Sequence, residues 1–292
     1  MQHSHEGYLV RSLRQLAWER FRRHRPALFG LSVLFIEISI AVLASFFVSQ
    51  DLALRPQPTS ILRTPSGMHF LGTDEAGRDV LARLIYASRL SLTVGFLAVA
   101  VALSVGTGLG AVAGYRGGWI DNLLMRFTDA MLSIPILFIL IALTVFLGPS
   151  VRTIILAIGI LSWMDLARII RANFLSLREK EFVESARALG APDLSILLRH
   201  LLPNTLGPIV VAGTLGVGNA MLAEAAVSYL GLGVQPPNPS WGNMLFNAQS
   251  YLWNAPWLAL YPGCMILITV LSINFVGDGL RDALDPRMTV RD

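Results

Sequence analysis

The 292-residue chain is 54% hydrophobic and 14% charged, with a formal net charge of +4. Those proportions exclude a water-soluble globular domain and identify an integral membrane protein. The pI is near 9.6, but the basic residues are dispersed between apolar runs instead of forming one patch, which excludes a nucleic-acid surface.

In chain order, residues 1–26 form a basic N-terminal segment that carries Arg11, Arg14, Arg20, Arg22, Arg23 and Arg25. His3 and His5 within it make a weak metal site at best. An apolar run at 27–48 follows. It is too long for a signal-peptide core and lacks a small-residue cleavage site, so it is expected to be an uncleaved first span. A spanning helix needs roughly 20 mostly apolar residues, and five further runs meet that length, at 90–113, 128–147, 151–170, 206–230 and 257–277. "LGPS" separates the third and fourth spans, and the Pro-rich "QPPNPSWG" separates the fifth and sixth. The expected fold class is therefore an all-α membrane protein with about six spans. Residues 90–279 form its core domain, and 280–292 its tail.

The loop at 49–89 contains "GRDVLARLIYASRL", which places Val80, Leu81, Leu84 and Ile85 on one helical face and Arg78 and Arg83 elsewhere. This predicts an interfacial amphipathic helix. Basic residues near span ends set orientation. With the N-terminus cytoplasmic, seventeen of the 23 Lys and Arg residues lie inside. Both termini are then cytoplasmic, and the first loop, with Arg55, Arg63, Arg78, Arg83 and Arg89, is the exception.

Several polar residues fall in or beside spans. Glu37 lies midway along the first span, where burying a charge is expensive. Three readings stand: a protonated acid facing a partner helix, a span shifted in register, or a substrate ligand. Asp129 and Asp165 each have an arginine three residues away, Arg126 and Arg168, and helix-surface ion pairs are expected. Asn219 and Glu224 in the fifth span either line the passage or hydrogen-bond between helices. Trp119, Trp241, Trp253 and Trp257 stand at span ends as interfacial anchors. Cys264, the single cysteine, lies in an apolar run and is expected to pack. The glycines of "YLGLGVQPPNPSWG" lack the Lys-Ser/Thr pair of a phosphate loop, so the run reads as an external capping loop. No triad, paired acids or metal-ligand cluster rises above chance.

The fourth and fifth spans are joined by about 35 residues, 171–205, the largest cytoplasmic loop. It contains "EFVESARALGAPDLSILLRHLLPN". Phe182, Ala186 and Leu189 fall at helical spacing, Gly190 permits a left-handed helix end, and "APD" suits the start of a second helix. A connection alone needs only a few residues, and Ala186 and Ala188 beside the turn allow close approach by another surface. The plainer alternative is an amphipathic helix lying on the membrane or on its own bundle.

Glu184, Ser185, Ala186, Gly190, Leu202 and Pro203 resemble the EAA loop of ABC-importer permeases. Ser185 replaces an alanine, and His200 stands where the general pattern is apolar. Four further blocks, at 69–95, 114–135, 224–245 and 274–287, are similar to the C-type permeases of dipeptide and oligopeptide ABC importers. The resemblance implies a type I importer fold and one half of a pore, in which 171–205 forms a coupling helix lodged in an ATPase. Glu184, Ser185, Arg187, Ala188, Gly190 and Pro203 are then coupling-loop residues together with Ala186. It further implies a B-type permease partner, two cytoplasmic ATPases that hold ATP and Mg, and an extracytoplasmic binding protein. The chain itself is implied to be non-catalytic, cofactor-free and multi-pass in a bacterial inner membrane. Cargo alternatives are nickel chelates, glutathione and antimicrobial peptides. A secondary transporter or an intramembrane enzyme would leave the loop unexplained.

Overall fold

The computed structural model describes residues 13–285. Helix α1, Leu13–Arg23, leads through His24 into α2, Arg25–Phe47. His24 caps α2, its Nδ1 accepting from the Ala27 N–H at 3.1 Å, and Pro26 occupies the first turn, where a missing N–H costs nothing. Short α3, Gln50–Leu54, and a single turn at Pro58–Ser60 follow before the 37-residue α4, Val80–Arg116. Then come α5, Gly118–Leu132; α6, Ile136–Leu147; α7, Val151–Leu161; α8, Trp163–Arg178; and α9, Glu181–Ala188. The chain ends with α10, Asp193–Ile196; α11, Leu202–Tyr229; α12, Trp241–Ala248; and α13, Trp257–Leu284. The described residues contain no strand, only an isolated bridge between Thr73 and Asp79. His3 and His5 lie outside them.

Five helical stretches are long and apolar enough to cross a membrane, and there are six if α5 and α6 count as one. That pair corrects the expected third span. It begins earlier, at Gly118, and bends by 82° between Leu132 and Ile136. Pro135 has no N–H to donate, its ring excludes the carbonyl four residues back, and it disfavours helical geometry at Ile134. The fourth span likewise runs on past 170 to Arg178, with a break at Ser162.

Helix α4 is the central post, packed against α8, α11, α7 and α2, while α13 closes on α2 and α11. Its approach to α8 depends on glycines four residues apart. A Cβ on Gly106 would stand 2.8 Å from Leu166 Cβ, one on Gly110 2.5 Å from the Ala167 carbonyl oxygen, and one on Gly114 2.6 Å from Phe174 Cβ. Lipid supplies no hydrophobic drive between helices, so small residues that let backbones touch carry the association.

The expected amphipathic helix at 78–89 is replaced by the first turns of α4. Arg78 and Arg83 are buried, not solvated. Asp74 gathers them: its Oδ2 meets Arg78 Nε at 2.7 Å and Arg83 Nε at 3.3 Å, and its Oδ1 accepts from the Arg78 N–H at 2.8 Å. Glu75 meets Arg78 Nη2 at 2.8 Å. Burial, and secondarily the adjacent Asp74, raises the Glu75 carboxyl above its usual range. Asp79 caps α4 through Ala82 N–H and takes the His69 ring at 2.9 Å.

Two other expectations change. Trp241 is fully buried, not interfacial, and donates through Nε1 to the Leu84 carbonyl at 3.3 Å. Trp119 and Trp253 are exposed, in keeping with an anchoring place. Cys264 is exposed on the outer face of α13, so it does not pack within the chain.

The glycine seam generates a paired test. Gly110→Ala drives a methyl into a backbone oxygen and should destabilise by about 1 to 3 kcal/mol, as overpacking does. Gly108→Ala, whose added Cβ meets nothing within 4 Å, should be neutral or slightly stabilising because alanine is the better helix former. Thermal unfolding of the purified protein separates them. Equal stabilities would remove the seam from the account.

Candidate functional site

The charged loop between α8 and α11 folds as expected at its turn. Lys180 enters α9 in extended geometry, Glu181 and Glu184 fall in the first turn and Arg187 in the last, each matching the helix dipole. Gly190 has φ +80°. Its N–H bonds the Arg187 carbonyl at 2.9 Å, and the Ala191 N–H bonds the Ala186 carbonyl at 3.0 Å. These two bonds form a Schellman ending, which uses a left-handed residue to satisfy the last carbonyls. Pro192 then precedes α10, and a five-residue π turn, Leu197–Leu201, carries the chain into α11. Pro203 sits in the first turn of α11. The wider turn before it accommodates a ring that would strike the Arg199 carbonyl in a regular α-helix.

Only part of α9 faces outward. Glu184, Ser185, Arg187, Ala188 and Gly190 are exposed, whereas Val183 and Ala186 are buried in a small core with Tyr115, Ile170, Phe174, Ile196 and Leu201. Ala186 therefore supports the helix from below and offers its side chain to no docking surface. Beside the turn, Leu189, Leu194 and Leu198 are 88%, 65% and 54% exposed. The Phe182 ring lies 6.5 Å from that of His200, across the two arms.

The loop is anchored by a residue outside it. Tyr115, near the end of α4, donates its hydroxyl to Asp193 Oδ1 at 2.6 Å, and the Arg187 guanidinium lies 5.5 Å from its ring centroid. One side chain thus holds both arms, one by a charge-assisted hydrogen bond and the other by cation–π attraction. Arg187 is therefore engaged within the chain. Arginines on α8 reach α5: Arg171 grips Asp121 with two bonds, one of 2.6 Å, and Arg168 pairs with Asp129. These pairs replace the expected Asp129–Arg126 and Asp165–Arg168 pairs, because long side chains on α8 meet acids on the facing helix. The signals available in sequence were the tyrosine following Gly114 and the four-residue glycine spacing.

Elsewhere, Asn219 is exposed on the isolated chain. Glu224 is 1% exposed and accepts from Ser228 Oγ at 2.7 Å. It is enclosed in the isolated chain, and its bond to Ser228 lies within α11. Glu37 is also internal, with Thr269 Oγ1 at 2.9 and 3.0 Å from its two oxygens, across the α2–α13 contact.

Residues 106–290 match the family described as "Binding-protein-dependent transport system inner membrane component". The chain belongs to this family. Residues 12–64 also match the N-terminal transmembrane domain of oligopeptide transport permease C. This family member is 44% identical over 93% of its length to the dipeptide transport system permease protein DppC of Alkalihalophilus pseudofirmus, covering 89% of that protein. It is 42% identical over 95% of its length to the oligopeptide transport system permease protein OppC of Haemophilus influenzae, covering 89%. Identity to the glutathione transport system permease protein GsiD of Pectobacterium atrosepticum is 40% over 93%, covering 90%. Among solved structures, an inward-facing MetNI methionine ABC transporter chain superposes with a TM-score of 0.56 at 20% identity, over 70% of this chain and 96% of that one. That likeness is one of fold. The protein is a multi-pass inner-membrane transport component.

The clasp predicts that Tyr115→Phe, which keeps the ring and removes the hydroxyl, frees Asp193 while α4 stays intact. A bond to a charged acceptor is worth about 1.5 to 3 kcal/mol. Amide exchange in 186–196 should accelerate by about tenfold or more, with the α4 amides unchanged. Unaltered exchange in that segment would show that Tyr115 does not hold the loop.

Proposed function

We propose that the chain is the permease half of an ATP-driven importer of dipeptides or oligopeptides. It pairs with a second, B-type permease, receives substrate from an extracytoplasmic binding protein and is driven by two cytoplasmic ATPases, which hold the ATP and Mg. The chain contributes passage and coupling, not catalysis. The observation that carries this reading is the clasped loop. A rigid helical arm fixed to the α4–α8 pair presents Leu189, Leu194 and Leu198 beside charged residues, as a surface for another protein requires. Its placement on the cytoplasmic side, with both termini, follows from the distribution of Lys and Arg.

In this reading, closure of the ATPases displaces α9, and the Schellman turn and Tyr115 pass the displacement to α11 and α4. A driven equilibrium shifts only by the difference in interaction between its states, so the attachment has to be stiff. Glu184, Ser185, Ala188 and Leu189 meet the ATPase. Ala186, Arg187, Gly190 and Pro203 hold the arm's shape, and Asn219 faces the passage or the partner permease. Cargo is the finer point. Peptide is favoured by the dipeptide and oligopeptide relatives, and the glutathione relatives keep a small γ-linked peptide as the second reading.

Three measurements test the proposal. A tag on this chain should recover a second permease and two nucleotide-hydrolysing subunits, and a lone chain that moves peptides in vesicles would refute it. In the reconstituted complex, Gly190→Val should preserve assembly but unlink ATP hydrolysis from peptide uptake. An added Cβ at 190 meets nothing within 4 Å, so its cost is that of the left-handed backbone alone, about 1 to 2 kcal/mol. With Cys264 replaced, a cysteine at position 187 should label only from the cytoplasmic face. Labelling from outside would invert the topology.

A further inference from the structure

The arginines of the first loop stand against the positive-inside pattern, and three of the five meet a carboxylate. Arg78 and Arg83 meet Asp74, Arg55 meets Asp51 at 2.9 Å, and Arg63 donates to the Thr59 carbonyl at 2.8 Å. Arg89 has no carboxylate within ion-pair distance among the described residues. It is exposed and makes one long hydrogen bond, 3.3 Å to Ser45 Oγ.

Two cavities meet at this side chain. One, of about 500 Å³, runs between α2 and α4 and is walled by Ile38, Val42, Phe96 and Leu97. The other, of about 300 Å³, opens toward the outer loops and is bordered by Gln50, Tyr86 and Asn238. They share Arg89 and Thr93. The result is one continuous amphipathic cleft, polar at one end, apolar at the other and cationic where the two join.

Its depth fits the bilayer. Helix α4 is about 55 Å long at 1.5 Å per residue, against a hydrocarbon layer of about 30 Å. With Arg116 at the cytoplasmic surface, the 27 residues back to Arg89 span about 40 Å along α4, which brings Arg89 to the level of the opposite headgroups. Phe96 and Leu97 then lie about 10 to 12 Å deeper. Ile38 and Val42 fall in the same outer half of α2.

We propose that this cleft binds one anionic glycerophospholipid, with its phosphate on Arg89 and an acyl chain laid between α2 and α4. A cation at headgroup depth above an apolar channel is complementary to that molecule and to few others. A partner helix laid on the same cleft would have to bring its own carboxylate to Arg89, whereas a phospholipid carries its anion and its apolar chain in one molecule. Bound lipid would bridge α2 to α4 along the cleft. It would also supply the counter-charge that the outer arginine lacks.

The proposal requires only that α2 and α4 span the bilayer, so its test does not use transport. The intact complex is assembled in nanodiscs of equal phosphatidylglycerol and phosphatidylcholine, released, and its retained lipids are counted by native mass spectrometry. The wild type should retain phosphatidylglycerol in preference to phosphatidylcholine, and Arg89→Gln should cut that retention about tenfold, the loss of one charge-assisted contact. Arg89→Lys should restore much of it, and Arg63→Gln should change nothing. Equal retention of both lipids by the wild type, or unchanged retention in Arg89→Gln, overturns the proposal. So does cross-linking of a cysteine at Val42 to another protein subunit, which would make the cleft a protein interface. If Arg89→Gln fails to assemble, the wild-type preference between the two lipids still decides.

Discussion

Everything on the loop side of this molecule depends on how closely α4 and α8 approach. At Gly110 there is room for a hydrogen and none for a methyl, because the Ala167 carbonyl oxygen occupies the place a Cβ would take. That contact, repeated at Gly106 and Gly114, sets the register of two helices that would otherwise gain nothing from each other in lipid. It also places Tyr115, one residue past the last glycine, directly over the core formed by Ile170 and Phe174 of α8. A wider spacing would leave the tyrosine hydroxyl short of Asp193.

The loop is consequently an extension of the bundle. Its inner side is a small apolar core, and its two arms meet at one aromatic ring. Its helix reverses through a glycine whose surroundings are open. The open surroundings make Gly190 a conformational requirement and not a packing one. Helix α9 is tied to α11 through the π turn and to α4 through Tyr115. Arg171 and Arg168 join α5 to α8 through ion pairs with Asp121 and Asp129.

The outer side is organised by charge. Asp74 and Glu75 together offset two arginines that would each be costly to bury alone, and removing one member of such a cluster is far worse than never having built it. Asp79 adds the cap that starts α4 at Val80. Arg89 lies outside that cluster, exposed and joined only to Ser45 Oγ at 3.3 Å.

The sequence by itself determined the membrane class, the number of spans, the position and turn of the loop, and the left-handed state of Gly190. These follow from local quantities: the length of apolar runs, the distribution of Lys and Arg, and the special backbone freedom of one residue. The family resemblance was also legible, because Glu184, Gly190 and Pro203 keep their spacing whatever lies around them. What only the tertiary structure decided were facts about opposite faces. The directions of Ala186 and Glu224, the burial of Arg78, Arg83 and Trp241, and the partners of Asp129 and Arg168 depend on which helix stands across from each residue. Periodicity gives a side chain its place around its own helix axis. It does not say which neighbour is packed there, and in a chain apolar on nearly every face that choice is made by steric fit between helices far apart in sequence.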